Sequence, residues 1–231
     1  PGTSRELIKQ ASEFADRLSI NLEAPNKSRM AEISDIKDYH IDILRRQRYI
    51  KSMKIPSGQT TQLVVGGSDE TDKEILRMID WEYSKMKLRR GYYSAFIPVP
   101  KTPLEFKDKT PLIRENRLYN VDFMMRKYGI KLKEFYDVMD GGMLPKKDPK
   151  VALARNYFDS GVDINECSYN DLIRVPGIGP MSAKRIMDLR KKVKIRSYKE
   201  LYNIGVVLKR AKPFIEVNGK RQSRLGEFAC S

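Results

Sequence analysis

Residues 172–186, Leu-Ile-Arg-Val-Pro-Gly-Ile-Gly-Pro-Met-Ser-Ala-Lys-Arg-Ile, admit few folds. The residues up to Val175 close a short amphipathic helix. Pro176 ends it, because proline has no amide donor and pushes its predecessor toward extended geometry. Gly177 and Gly179, either side of Ile178, permit a sharp turn and bring bare backbone to the surface. Beyond them Ala183, Ile186 and Leu189 recur at helical spacing, with Lys184, Arg185, Arg190, Lys191 and Lys192 around them. The pattern predicts helix, tight turn, helix. The second helix starts with unpaired N–H groups in a turn without side chains, which is an anion site.

This stretch resembles the helix-hairpin-helix motif, whose Pro-Gly-Ile-Gly turn holds a nucleic-acid phosphate. Leu172, Val175, Pro176, Gly177, Ile178, Gly179, Ala183 and Ile186 fall where the motif has them. The resemblance implies a DNA-binding site of Gly177, Ile178, Gly179, Met181, Ser182, Lys184 and Arg185. The turn amides and the helix dipole would hold one phosphate and the two cations would add charge-assisted contacts. Binding of that kind positions a duplex without reading its sequence. The alternative is an ordinary helical hairpin whose glycines only permit close packing. Upstream, Ser168 reads as an N-cap with Asp171 three residues on. The run from Asn165 to Ser168 is similar to the lead-in of competence-type DNA-binding modules.

A degenerate copy follows 28 residues later, with Gly205, Ala211 and Phe214 matching Gly177, Ala183 and Ile186. It lacks the proline, and Val207 stands where the second glycine would be. Two such hairpins can bury each other's apolar faces, and the copy is expected to be mainly structural. Its Lys209, Arg210 and Lys212 extend the basic surface. Charge agrees. The net charge is +15, and residues 150–231 hold 17 Lys and Arg against 8 Asp and Glu, whereas the first 149 hold 28 against 22. That excess points to a polyanionic partner. An acidic protein bound by a basic scaffold is a further reading of the same charge.

The first half alternates helices and strands. Residues 5–17 place Leu7, Ile8, Ala11, Phe14 and Ala15 on one helical face, and residues 18–25 alternate apolar and polar as a strand. A basic helix at 36–51 follows, in which His40, the sole histidine, is given no role. Then come a strand at 57–67, a helix at 73–86 capped by Asp69 and carrying Trp81 toward the core, and a strand at 91–99. This order predicts a parallel α/β unit. Residues 114–128 read as a helix in which Arg114, Arg117 and Glu115 pair across a turn.

Residues 17–26, 56–66, 92–99 and 114–119, with Asp122, Tyr128 and Gly129, resemble the later part of a radical S-adenosylmethionine (radical SAM) protein of the DNA modification or repair subgroup that ends in a helix-hairpin-helix. The resemblance runs from Ala15 to about Lys220. It implies a partial (β/α) barrel, a [4Fe-4S] cluster, S-adenosyl-L-methionine as cofactor and radical chemistry in the intact protein. It places Asn21 and Glu23 toward the cofactor's ribose and methionine, and Gln62, Gly66 and Glu70 at its adenine side, although Gln62 stands where the family has glycine. The family's three-cysteine cluster loop is absent. Only Cys167 and Cys230 are present, so this chain is expected to be inactive alone.

The fold class expected is therefore α/β: later strands of a partial barrel over 1–110, a helical connector over 111–148, a small all-α tandem helix-hairpin-helix domain over 149–220, and a tail over 221–231. The start at Pro1, directly before a helix, suggests a fragment without its front part. The cysteine usage fits a reducing, cytoplasmic setting. No apolar run is long enough for a membrane span, so no membrane partner is expected. Two readings of function stand together: part of an enzyme acting on DNA, or a non-catalytic DNA-binding protein.

Overall fold

Helix and strand alternate through the first half of the computed structural model, which describes residues 2–221. The chain divides into two units, residues 2–122 with 139–146, and residues 123–138 with 147–221.

The first unit is built on three parallel strands in the order β1-β2-β3, namely β1 (Leu18–Ser19), β2 (Gln59–Val65) and β3 (Arg90–Ala95). Around them lie α1 (Arg5–Phe14), α2 (Lys27–Ala31), α3 (Arg45–Lys51), α4 (Asp72–Trp81) and α5 (Leu112–Phe123). The parallel α/β expectation is met, but no partial barrel is evident. The sheet stops at β3 because side chains take its outward amides. Tyr83 Oη accepts from Gly91 N (3.0 Å), Tyr119 Oη from Tyr93 N (3.0 Å), and Glu115 Oε2 from Ala95 N (2.8 Å). Tyr119 also donates back to the Tyr93 carbonyl. An edge satisfied this way offers little to a further strand.

The alternation predicted for residues 18–23 holds: Ile20 and Leu22 are buried, and Asn21 and Glu23 half-buried. The ladder is broken, however. Ser19 pairs with Thr60 and Glu23 with Leu63, so one extra residue sits on the first strand. Such a bulge leaves backbone groups unpaired. The Thr61 hydroxyl closes it, donating to the Ile20 carbonyl (2.8 Å) and accepting from Leu22 N (2.9 Å).

Several local expectations are corrected. Thr71, not Asp69, caps α4, through a reciprocal capping box with Glu74. Phe14 and Leu7 are exposed on α1, whose buried residue is Ile8. Arg114, Glu115 and Arg117 do not pair with one another. Arg114 bonds Asp72 (2.7 Å), Glu115 caps the β3 edge and Arg117 donates to the Lys146 carbonyl. Trp81 is half-buried rather than core.

The second unit begins with α6 (Leu132–Tyr136) and α7 (Pro149–Tyr157). It continues through β4 (Val162–Asp163), α8 (Tyr169–Arg174), α9 (Pro180–Arg190), α10 (Tyr198–Asn203) and α11 (Leu208–Ala211) to β5 (Ile215–Val217) and β6 (Lys220–Arg221). It is not all-α: β4 pairs parallel with β5, and β5 antiparallel with β6. Asn218 and Gly219, both at positive φ, make the two-residue hairpin loop. One core takes apolar residues from both hairpins, including Leu172, Val175, Ile178 and Ile186 from the first and Leu201, Val206, Ala211 and Phe214 from the second. Residues 222–231, including Cys230, lie outside the described residues. No helix among the described residues is long and apolar enough to cross a membrane.

Both hairpins turn on a left-handed glycine, at φ 86° for Gly177 and 88° for Gly205. The local chemistry differs. Val175 to Ile178 has the sequence and the closing bond (Ile178 N to Val175 O, 3.1 Å) of a type II turn, with proline second and glycine third. The second copy ends α10 in a Schellman motif: Val206 N reaches Leu201 O (3.1 Å) and Gly205 N reaches Tyr202 O (3.0 Å). That motif needs glycine and no proline.

Two stability predictions follow from this packing. A Cβ on Gly177 would lie 2.4 Å from the Val207 carbonyl oxygen, whereas one on Gly205 would meet the movable end of Arg185 at 3.3 Å and the Ser182 hydroxyl at 3.6 Å, an ordinary contact. Gly205→Ala should therefore cost about 1 kcal/mol from the left-handed backbone alone, and Gly177→Ala about 2 kcal/mol or more, as read by urea denaturation. Equal costs would contradict the packing described. The second concerns Glu82, fully buried with neither carboxylate oxygen hydrogen-bonded. Burial pushes its pKa from 4.5 up to about 8. The folded state thus holds a proton that the unfolded state releases, and stability is present below pH 4.5 and lost as pH rises through about 8. Glu82→Gln should flatten that decline in thermal melts followed by the fluorescence of neighbouring Trp81.

Candidate nucleic-acid interface

The hairpin turn is held from below. Ser168 caps α8, its hydroxyl accepting from Asp171 N (3.1 Å), while the Asp171 carboxylate accepts from Ser168 N (2.9 Å). Burial opposes ionisation of Asp171, but these bonds and that from Tyr157 hold its carboxyl below the usual range. Val175 and Ile178 place their side chains in the core. The carbonyls around the turn are taken by protein donors: Gly177 O by Val207 N (2.9 Å), Ile178 O by Lys150 Nζ (2.6 Å) and Gly179 O by Ala183 N (2.8 Å).

Amides are left over on the other side. Gly179 is the N-cap of α9 and supplies no side-chain bond, and Pro180 follows at the first helical position. The amides of Gly179, Met181 and Ser182 are those that a helix start leaves without intrahelical acceptors. Gly179 itself has ordinary backbone angles, φ −106° and ψ 176°, and a Cβ there would meet only the Tyr128 hydroxyl, at 3.7 Å.

The expected residues divide into three groups. Lys184, Arg185 and Met181 are exposed on the opening turns of α9. Arg185 also reaches the Ile204 carbonyl (3.2 Å). Gly177 and Gly179 shape the loop. Ile178 and Ser182 point inward, the Ser182 hydroxyl donating to the Gly205 carbonyl (2.8 Å). Ile178 has its amide on the Val175 carbonyl and its carbonyl on Lys150, so of the two only Ser182 can offer a ligand its amide.

Lys150 was not signalled by the sequence reading. It lies on α7, buried, with its ammonium on the Ile178 carbonyl and 4.5 Å from the centroid of the Tyr128 ring. Burial lowers its pKa to about 7, with Arg210 pushing the same way and Asp148 opposing. Its only sequence signal is a lysine directly after the proline that opens a helix, which does not separate it from a surface lysine.

In the α/β unit the five residues expected at a cofactor, Asn21, Glu23, Gln62, Gly66 and Glu70, each make hydrogen bonds within the unit. Gly66 N donates to Glu70 Oε1 (2.6 Å). Buried Glu70 also accepts from Ser68 N and Oγ and pairs with Arg114 (3.1 Å). Its carboxylate thus braces the loop after β2. Asn21 accepts from Ser19 Oγ, and the Gln62 carbonyl from Glu23 N. Glu23, at φ 61° and paired with Lys37 (3.5 Å), is the one that lines a crevice, of about 460 Å³, at the ends of β2 and β3.

A family model described as "Helix-hairpin-helix motif" matches residues 158–209, which takes in the lead-in, the first hairpin and the second copy as far as α11. Comparison with curated proteins and comparison with solved structures found no match. The chain thus carries a helix-hairpin-helix motif, an element consistent with nucleic-acid binding.

Proposed function

We propose that this chain binds duplex DNA through the phosphate backbone, without reading base sequence, by the amides that open α9 and the cations beside them. One observation carries the reading. The fold explains Gly177, whose backbone angle and tight contact with Val207 require glycine. It does not explain Gly179, which has an ordinary conformation and room for a side chain. A bare position there keeps the amides open to an approaching phosphate. Lys184 and Arg185 add charge on the same helix, and neither carries sequence information when it meets a phosphate.

The experiment is a salt titration of duplex affinity with two variants. Affinity should fall on the order of tenfold or more for a fourfold rise in salt, equally for unrelated sequences. Gly179→Val should weaken binding about tenfold while the thermal melt stays unchanged. Val207→Ala should change affinity little. A flat salt response, or equal effects of the two variants, would remove the hairpin from the interface.

A second reading, that the α/β unit is part of a radical SAM enzyme for DNA modification or repair, rests on the sequence resemblance. The crevice beside Glu23 favours it, since open parallel sheets bind ligands beyond the carboxyl ends of their strands. The chain's own residues do not fit a [4Fe-4S] cluster. It has two cysteines, and burial pushes the Cys167 thiol up to about 11. No group of three metal-ligating side chains occurs among the described residues. Such a reading therefore assigns this chain cofactor contacts only. S-adenosyl-L-methionine should bind in equilibrium dialysis and lose affinity in Glu23→Gln, and absence of binding would retire the assignment.

A further inference from the structure

A cavity of about 680 Å³ lies elsewhere in the α/β unit, among α2, α4 and the helical turn at Tyr39–Leu44. Its floor is apolar and aromatic. Tyr39 is buried with its hydroxyl on the Ala24 carbonyl, and half-buried Met78 and Trp81 stand beside it. Its rim is cationic: Lys27 and Arg77 are exposed, and neither forms a salt bridge among the described residues. His40 lies at the same rim. The spacing on α4 is what assembles this arrangement. Positions 77, 78 and 81 fall on one helical face, so the guanidinium stands one turn from the indole.

Of the nearby carboxylates Asp38 attracts Lys27, whereas Arg77 forms no salt bridge among the described residues. Glu74 also lines the cavity, but its oxygens are engaged by Arg29 (3.1 and 3.3 Å) and by the Thr71 amide and hydroxyl. Asp38 accepts from the amides of His40 and Ile41. An aromatic platform next to exposed cations suits a planar ring that carries a phosphate, and the volume is that of a small-ligand site.

We propose that this cavity binds a nucleotide, its base stacked on Trp81 and its phosphate against Arg77 and Lys27. The site is separate from the hairpin and does not depend on the reading of that element. A free nucleotide and an unstacked nucleotide of a single strand present the same chemistry, and the test separates them.

Trp81 is the only tryptophan of the chain, so its fluorescence reports this site alone. The full chain is titrated with AMP, adenosine, inorganic phosphate and a single-stranded hexadeoxyadenylate. AMP should quench saturably, adenosine about tenfold more weakly, and inorganic phosphate not at all, because stacking and charge act together. Arg77→Ala should weaken AMP about tenfold and leave adenosine unchanged. Arg77 is exposed, and an unchanged melt verifies that the variant folds. Gly179→Val should leave every titration as it is, so failure here is distinct from failure of the hairpin. Hexanucleotide binding about tenfold tighter than AMP assigns the site to a strand, and weaker binding assigns it to the free nucleotide. No saturable quenching by AMP or the hexanucleotide at millimolar concentration, or equal affinity for AMP and adenosine, overturns the proposal.

Discussion

The hairpin depends on a one-sided arrangement of the peptide groups in its turn. The carbonyls of Val175, Gly177, Ile178 and Gly179 each accept a bond from the protein, from Ile178 N, Val207 N, Lys150 Nζ and Ala183 N. Oxygens committed to protein donors repel an anion less than free ones would. The amides at the start of α9 have no side chain to cap them. Anion affinity at a helix start is otherwise modest and easily cancelled by nearby carbonyls. Here the Lys150 and Val207 donors prevent that cancellation, so the buried lysine and the second hairpin matter to a surface they do not reach.

In the α/β unit the corresponding constraint is a buried ionic knot. Arg114 reaches Asp72 Oδ1 (2.7 Å), the Glu70 carbonyl (2.7 Å) and Glu70 Oε1 (3.1 Å). Asp72 also accepts from Leu144 N (2.9 Å). Buried charges of this kind are stable only when each is fully partnered. The result fixes the loop after β2 to the start of α4 and to the segment around Leu144. It also accounts for Glu70, which by sequence resemblance faced a cofactor. A carboxylate already holding two amides, a hydroxyl and a guanidinium has little capacity left for a ligand.

What the sequence made legible follows from where its local chemistry is strong. The Pro-Gly pair, the Ser168 cap and the helical spacing of Ala183 and Ile186 each specify geometry on their own, and all appear in the structure. The parallel strands were readable because each lies between helices. Asp69 and Thr71 both precede acidic residues and are alike as caps by sequence, and only the reach of Glu74 back to the Thr71 amide decides between them. The strand Ile215–Val217 was too short for periodicity to show. Its signal was the Asn218-Gly219 pair, a hairpin turn by composition. Tertiary partners were not readable: Arg114 resembled a surface ion-pair residue until Asp72, 42 positions away, was beside it.

The offset of 28 between the hairpins places Val207 where Gly179 stands in the first. The two residues use their amides differently. Val207 N donates to the Gly177 carbonyl, inside the unit. Gly179 N makes no hydrogen bond among the described residues, and a Cβ on that residue would meet only the Tyr128 hydroxyl within 4 Å, apart from its chain neighbours. An amide already committed to a carbonyl gains nothing from a bare neighbour, so a β-branched side chain is tolerated at Val207, half exposed to solvent. An amide that is to meet a phosphate, as proposed for Gly179, must be reached closely, and a side chain there would stand in the way. On the proposed reading the two hairpins divide the work: the amide of Val207 holds the turn, and that of Gly179 is the one a phosphate would meet.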